Sequence, residues 1–250
     1  MNARQKEILK LIAEAREITV TSLAETLSIS QVTLRKDLDT LARDGYVKRS
    51  HGSVCVASED DVASRLLINF EEKMQIAACA ANLVKNGDTI IIESGSTCAL
   101  LAKIIAQTKT GVTIITNSLF IADFIREYNS VKVVVLGGDF QPEARVMVGP
   151  VTALCAKQFF ATTMFCGVDG LAENYGFTVK DHLRGSTVRD MAATAQKVYI
   201  LTNSKKFATC GTAAQLPFSS VCGVVTDNGI TKETRNLLTE QGINVITDKE

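Results

Sequence analysis

The sequence predicts an α/β protein in two parts, a small helical head ending in a two-stranded wing and a larger, mostly parallel α/β domain. Three observations carry the prediction. The first 56 residues hold three stretches with apolar residues at helical spacing, followed by two short strand-like runs. A short acidic stretch follows. From about residue 64 onward, near-continuous apolar strands alternate with amphipathic helices, the pattern of a parallel sheet covered on both faces.

In the head, Ile8, Leu11, Ile12 and Ala15 lay one stripe along a first helix, and Val20, Leu23, Ala24 and Leu27 repeat that spacing in a second. Ser30 then caps a third helix, which runs from about Ser30 to Asp44 on a buried stripe of Leu34, Leu38 and Leu41 and ends at Gly45. Tyr46–Arg49 and Ser53–Val56 read as strands joined by Ser50-His51-Gly52. Together these make a winged helix-turn-helix over residues 1–56, the arrangement that sets a third helix into a DNA groove. Gln31 and Arg35 have the donor patterns of adenine and guanine readers, while Thr33 and Lys36 suit phosphate oxygens or a thymine methyl, and Ser30 at the helix start completes the DNA-binding candidates. Lys48, Arg49 and His51 would reach the backbone from the wing. On spacing alone, a solvated helix face in a small bundle remains the alternative.

The run Ser30-Gln31-Val32-Thr33-Leu34-Arg35-Lys36-Asp37-Leu38, with Leu41, Gly45 and then Lys48-Arg49-Ser50-His51-Gly52, resembles the DNA-binding signature of the DeoR family of bacterial regulators. It departs at Lys36, where a second arginine is frequent, and at Ser53, where a second glycine is common. The resemblance implies operator DNA as a partner and a regulatory role, that of a repressor of a carbohydrate-utilisation operon.

Ala57-Ser58-Glu59-Asp60-Asp61 is small, polar and acidic, which places a linker over 57–63 and a second domain over 64–250. In that domain Ile76, Ala77, Ala80, Leu83 and Val84 form a helical stripe. Strands are predicted at 89–92, 112–116, 131–136, 163–168, 198–202, 221–226 and 245–247, with helices at 99–106, 119–127, 188–195 and 232–241 between them. Ligands of such sheets gather at the carboxyl ends of the strands. There the sequence places Glu93-Ser94-Gly95-Ser96-Thr97 directly before a helix, a geometry that favours a phosphate; a plain turn with Ser96 as N-cap is the alternative. Asn117-Ser118, Gly137-Gly138-Asp139, Gly167-Val168-Asp169-Gly170, Lys180-Asp181 and Asn203-Ser204-Lys205-Lys206 bring further small, polar and cationic groups to the same rim.

This region too resembles the DeoR family, in its effector-binding domain, which is related in fold to ribose-5-phosphate isomerases. The resemblance implies a sugar phosphate effector, with Ser94, Gly95, Ser96 and Thr97 on the phosphate and Asp169, Asp181 and Lys206 on the sugar; Asn117 and Gly138 complete the candidate site. Glu93 and Asn203 stand where the family usually has aspartates, which bears on which hydroxyls can be paired. An isomerase-like enzyme with an accessory DNA-binding head is the rival reading, since Asp169, Asp181 and Lys206 are residue types that enediolate chemistry uses. No enzymatic activity is expected, because no second glycine-rich loop precedes a candidate base.

Composition narrows the remaining classes. Lys+Arg and Asp+Glu balance at 27 each, with 9 against 7 in residues 1–56, a slight basic bias in the head. Seven cysteines stand singly, beside two histidines, which calls for no metal and predicts small buried thiols; no cofactor is called for either. The charged start and the lack of an apolar run near roughly 20 residues predict a cytoplasmic protein without a membrane partner. Because one head contacts one half-site, a homodimer or higher homo-oligomer is expected.

Overall fold

The structure, a computed structural model, describes residues 3–15, 17–43, 47–50, 52–56 and 60–249. Gly45, Tyr46, His51 and the linker residues 57–59 lie outside the described residues. The chain divides into two compact units, residues 1–70 and 71–250.

In the first unit, α1 (Ala3–Ala15) leads through β1 (Glu17–Thr19) into α2 (Val20–Thr26) and α3 (Gln31–Arg43), and β2 (Val47–Ser50) and β3 (Ser53–Val56) form the wing. The side chain of Thr19 caps α2, and Ser28, at φ 52°, makes the turn toward α3. As expected from the sequence, Ser30 accepts a hydrogen bond from the Thr33 amide at 3.2 Å. Leu34, Leu38 and Leu41 are buried against Ile8, Ile12 and Leu23. The α1 stripe is rotated from the expected one. Leu9 and Ala13 are buried beside Ile8 and Ile12, while Leu11 is half-buried and Ala15 exposed. Helix α1 packs against β3 as well as β1, a three-residue strand too short to leave a periodic signal, which pairs antiparallel with β3 and makes the wing three-stranded in the order β1-β3-β2. A further helix, α4 (Val62–Leu67), is capped by Asp61 and packs on α1 with Val62 fully buried. The division between units therefore falls after Phe70, beyond the acidic stretch.

The second unit begins with α5 (Phe70–Ala81), whose buried stripe is Ile76, Ala77, Ala80 and Ala81. The chain continues through β4 (Thr89–Ile92), α6 (Ser96–Thr108), β5 (Val112–Thr116), α7 (Leu119–Phe124), β6 (Val131–Val135), a hairpin of β7 (Asp139–Gln141) and β8 (Val146–Val148), and α8 (Pro150–Ala156). It then runs through β9 (Ala161–Cys166), β10 (Gly170–Ala172), β11 (Gly176–Val179), α9 (His182–Ala192), β12 (Ala195–Leu201), β13 (Ala213–Pro217), β14 (Gly223–Val225), α10 (Lys232–Glu240) and β15 (Asn244–Ile246). Seven strands form one parallel sheet in the order β15-β14-β12-β9-β4-β5-β6. Its buried strands carry Ile90, Ile91, Ile92, Ile114, Ile115, Met164, Phe165 and Ile200 with no exposed surface.

Two smaller assemblies were not legible in the periodicity, the β7–β8 hairpin and an antiparallel sheet β10-β11-β13. Both consist of short strands without alternation. Helix α9 also begins earlier than expected, because Asp181 caps it and Gly185 admits the carbonyl of Ala214, which a Cβ there would meet at 2.8 Å. Of the cysteines only Cys98 and Cys166 are buried, whereas Cys210 and Cys222 are exposed. Among the described residues no helix is long and apolar enough to cross a membrane.

The two extremes of leucine burial set a test of this packing. Leu38→Ala, at a site with no exposure, is expected to lower the unfolding free energy by about 2–5 kcal/mol. Leu154→Ala, at a side chain that is 61% exposed, is expected to change it by no more than about 0.5 kcal/mol in the same urea titration.

Candidate functional site

Helix α3 presents two unlike faces. Inward lie the three leucines and Asp37, whose carboxylate is buried and takes Arg4 Nε at 2.6 Å and Gln5 Nε2 at 3.3 Å. Hydrogen bonding to Asp37, reinforced by its charge, pushes the Arg4 guanidinium above its ordinary pKa. This pairing fixes the start of α1 to the middle of α3. The i, i+3, i+4 spacing from Leu34 already assigns Asp37 to the inward face, a signal the apolar-residue pattern passes over.

Outward, Ser30, Gln31, Arg35 and Lys36 are exposed and Thr33 is half-buried. Gln31 and Arg35 sit one turn apart, as do Val32 and Lys36. Val32 is 67% exposed and was not singled out by the sequence reading; it offers an apolar surface among polar ones at the start of the helix. On the wing Lys48 and Arg49 are exposed, and Arg49 is ion-paired with Asp39 of α3, so the wing's cation is tied to the helix. His51 lies outside the described residues.

In the second unit, the strand order creates a second location. From β4 the chain steps outward to β5 and β6, then returns to β9 on the other side of β4 and steps outward to β12, β14 and β15. Connections therefore diverge between β4 and β9, and the carboxyl ends of this adjacent pair are where sheets of this kind place a ligand crevice. The register brings Glu93 opposite Asn117 and Ser94 opposite Gly167, continuing the pairs Ile91–Ile115 and Ile92–Phe165.

Glu93, 5% exposed, crosses the crevice: its amide donates to the Phe165 carbonyl at 2.9 Å, and its Oε2 accepts from the Gly167 amide at 3.2 Å. At the next peptide, Gln215 Nε2 donates to the Gly167 carbonyl at 2.9 Å. Gln215 was absent from the sequence candidates. Its signal was a lone amide inside the apolar run Ala213-Ala214-Gln215-Leu216. The Cys166 thiol beside this peptide is raised well above its ordinary pKa, first by burial and then by the charges of Glu93 and Cys98, so it stays protonated near neutrality.

The loop before α6 resolves the question of its cap. Gly95, not Ser96, is the N-cap residue, in extended conformation and without a side-chain hydrogen bond, whereas α7, α9 and α10 are capped by Ser118, Asp181 and Thr231. Ser96 and Thr97 are buried in its first turn, and Ser94 Oγ is buried without a hydrogen-bond partner.

The remaining candidates divide into two groups. Asp169 lies with Lys206: their side chains are 3.4 Å apart, Lys206 Nζ also donates to the Val168 carbonyl, and Asp169 Oδ2 accepts from the Lys180 amide at 3.0 Å. Asp181 instead caps α9, with Oδ1 taking the Arg184 amide at 2.9 Å and Oδ2 the Gln141 amide at 3.1 Å. Burial pushes its pKa up, but these hydrogen bonds and the Arg184 charge outweigh it and the net shift is downward. Asn117 donates to the Met147 carbonyl at 3.0 Å, and its Oδ1 is buried and unpaired. Gly138, at φ 150°, allows a close approach, since a Cβ there would lie 2.0 Å from Thr152 Oγ1 and 2.7 Å from the Val148 carbonyl.

Next along the rim, Asp227 receives the amide and hydroxyl of Ser204, each at 2.7 Å, and the Gly229 amide at 2.8 Å. Burial opposes ionisation of Asp227, but those donors prevail and hold its carboxyl below the ordinary value. Asn203 Oδ1 beside it is buried without a partner.

The DeoR-like helix-turn-helix domain matches residues 4–60, and the DeoR C-terminal sensor domain matches residues 68–228. The chain is 29% identical over 246 residues to the HTH-type transcriptional regulator GolR of Listeria innocua, covering 97% of this chain and 96% of that one. It is 26% identical over 231 residues to the transcriptional repressor AccR of Agrobacterium fabrum, covering 90% and 89%. To the lactose phosphotransferase system repressor of Lactococcus lactis it is 27% identical over 237 residues, covering 92% of each. Among solved structures, it is similar to ribose 5-phosphate isomerase A of Methanocaldococcus jannaschii at 20% identity and a TM-score of 0.41, covering 56% of this chain and 55% of that one.

The Asp227 contacts predict a sign for acid sensitivity. A carboxylate whose folded pKa is depressed adds stability above its unfolded pKa of about 3.9, and that contribution is lost as pH falls through the lower folded value. Wild-type chain is expected to lose unfolding free energy relative to Asp227→Asn as pH drops below about 4. Above about pH 5 the wild type is expected to be the more stable, as read from denaturant midpoints across pH.

Proposed function

The chain belongs to the DeoR family of transcriptional regulators, and on that premise we propose that it is a repressor of a carbohydrate-utilisation operon, controlled by a phosphorylated sugar at the β4/β9 crevice. The observation that carries the effector half is the loop before α6. A 13-residue helix opens at the crevice on a glycine, with no side chain capping its first amides and a buried, unpartnered Ser94 hydroxyl beside it. A phosphate accepts hydrogen bonds from such amides and is favoured by the helix dipole. Ser94, Gly95, Ser96 and Thr97 are assigned to the phosphate. Asn117 and the Asp169–Lys206 pair are assigned to the hydroxyls, with Gly138 and Asp181 shaping the rim. The name of the Lactococcus lactis relative, a lactose phosphotransferase system repressor, supports the carbohydrate reading.

For DNA, Gln31 and Arg35 are assigned to base edges, Val32 to a thymine methyl, and Ser30, Thr33, Lys36, Lys48, Arg49 and His51 to phosphates. Two or more copies of the chain read repeated half-sites. Regulation then requires only that the effector bind the DNA-competent and DNA-incompetent conformations with different affinities. Turnover is not proposed: Asp181 is committed to capping α9, and Asp169 to Lys206 and the Lys180 amide.

The test begins with duplexes selected from a randomised pool by the full-length chain. Arg35→Ala is expected to weaken the selected duplex by about 1–3 kcal/mol and to relax preference at one position per half-site. Lys48→Ala is expected to weaken all duplexes alike and reduce the salt slope by about 1. Asp39→Asn, which releases Arg49, is expected to strengthen binding. A sugar phosphate that raises the melting temperature should shift duplex affinity by the same coupling factor by which the duplex shifts its own. No sequence-dependent binding at moderate salt contradicts the proposal.

A further inference from the structure

Gln215 is 1% exposed, and the direction of its amide is fixed by chemistry. The group it meets at 2.9 Å is the Gly167 carbonyl, which only accepts, so Nε2 must face Gly167 and Oε1 must face away. That Oε1 is buried without a partner. Asn117, 2% exposed, repeats the arrangement: Nδ2 is spent on the Met147 carbonyl, and Oδ1 is left buried and unpaired. An unsatisfied buried amide oxygen costs about 1–3 kcal/mol, so two of them at one rim call for a donor from outside the chain.

Their placement says where that donor belongs. Asn117 follows β5, and Gly167, whose carbonyl the Gln215 amide meets, follows β9, so the two side chains belong to opposite sides of β4, whose carboxyl end carries the Ser94–Thr97 loop. Both are neutral acceptors. Neither can satisfy a carboxylate, which at neutral pH is itself acceptor-only and would set lone pairs against lone pairs in a desolvated site.

We infer that Gln215 is a specificity-determining residue of the effector site, accepting a hydrogen bond from an effector hydroxyl through Oε1, with Asn117 in the same role. The inference rests on the effector reading above and narrows it. Where the effector meets these two oxygens it presents hydroxyls, so a phosphorylated polyol is favoured over a phosphorylated sugar acid whose carboxylate would stand there. Gln215 also carries this contact into the fold, because its carbonyl and that of Ala214 accept from Arg189 of α9.

Isothermal titration of the full-length chain tests this with inorganic phosphate and two matched pairs, ribitol 5-phosphate against ribonate 5-phosphate and glucitol 6-phosphate against 6-phosphogluconate. The better-binding alditol phosphate is expected to bind at least about tenfold tighter than its matched acid. Gln215→Met, of similar length but without donor or acceptor capacity, is expected to reduce that ratio to about threefold or less by weakening the alditol. Because Met also gives up the bond to the Gly167 carbonyl, its affinity for inorganic phosphate is expected to fall too, but by a smaller factor than that for the alditol phosphate. An acid phosphate that binds wild type as tightly as its alditol overturns the inference whether or not the variant folds. So does an unchanged ratio in Gln215→Met. If inorganic phosphate and all four probes fail to bind, the effector reading falls, and this inference with it.

Discussion

The carboxyl end of the sheet in the second unit depends on how the backbone of one residue is held. Gly167 closes the carboxyl end of β9 at the place where the sheet's connections diverge, and both of its polar groups are engaged, the amide by Glu93 and the carbonyl by Gln215. Glu93 belongs to the segment after β4, and Gln215 to the separate antiparallel sheet, so three segments distant in sequence meet at this residue. A parallel sheet otherwise leaves the ends of adjacent strands with unpaired backbone groups. Here those groups are satisfied by side chains, and the loops on either side are brought into register with the Ser94–Thr97 segment.

A comparable device sets the first unit. Helix α3 has its leucines in the core, but leucine packing alone leaves rotation about the helix axis loosely specified. The buried Asp37 carboxylate, held by Arg4 and Gln5, adds a directional contact, and the Arg49–Asp39 pair adds a second from the wing. Gln31, Arg35 and Lys36 are thereby presented on one side of the unit. Each of these polar anchors restricts the geometry of groups proposed to meet a ligand, where hydrogen-bond accuracy matters.

Much of this was legible in the sequence, and the limits have physical causes. The α3 cap, its leucine stripe and the seven parallel strands follow from spacing and from apolar runs, because burial of one or both faces imposes a period. The Ser94–Thr97 loop stood out as glycine and hydroxyl residues directly before a helix, but the same residues also make a plain turn, and only the structure shows that no side chain caps α6. Strand β1, the β7–β8 hairpin and the β10-β11-β13 sheet were not legible, since these strands of three to five residues lack a clear period and are specified by partners distant in sequence. The same holds for Gln215, which acquires a role only when β13 is folded beside Gly167. Glu93 was noticed as a departure from the family pattern, but its bond to the Gly167 amide belongs to tertiary structure.

The most direct measurement of the central claim, that a phosphorylated sugar is bound at the divergence of β4 and β9, is amide hydrogen exchange of the full-length chain with and without an effector. The account predicts slower exchange at Ser94–Cys98 and at Gly167–Gly170, with Asp227–Gly229 on the outer part of the rim unchanged. Protection confined to the outer strands, with none at the α6 N-terminus, would contradict it.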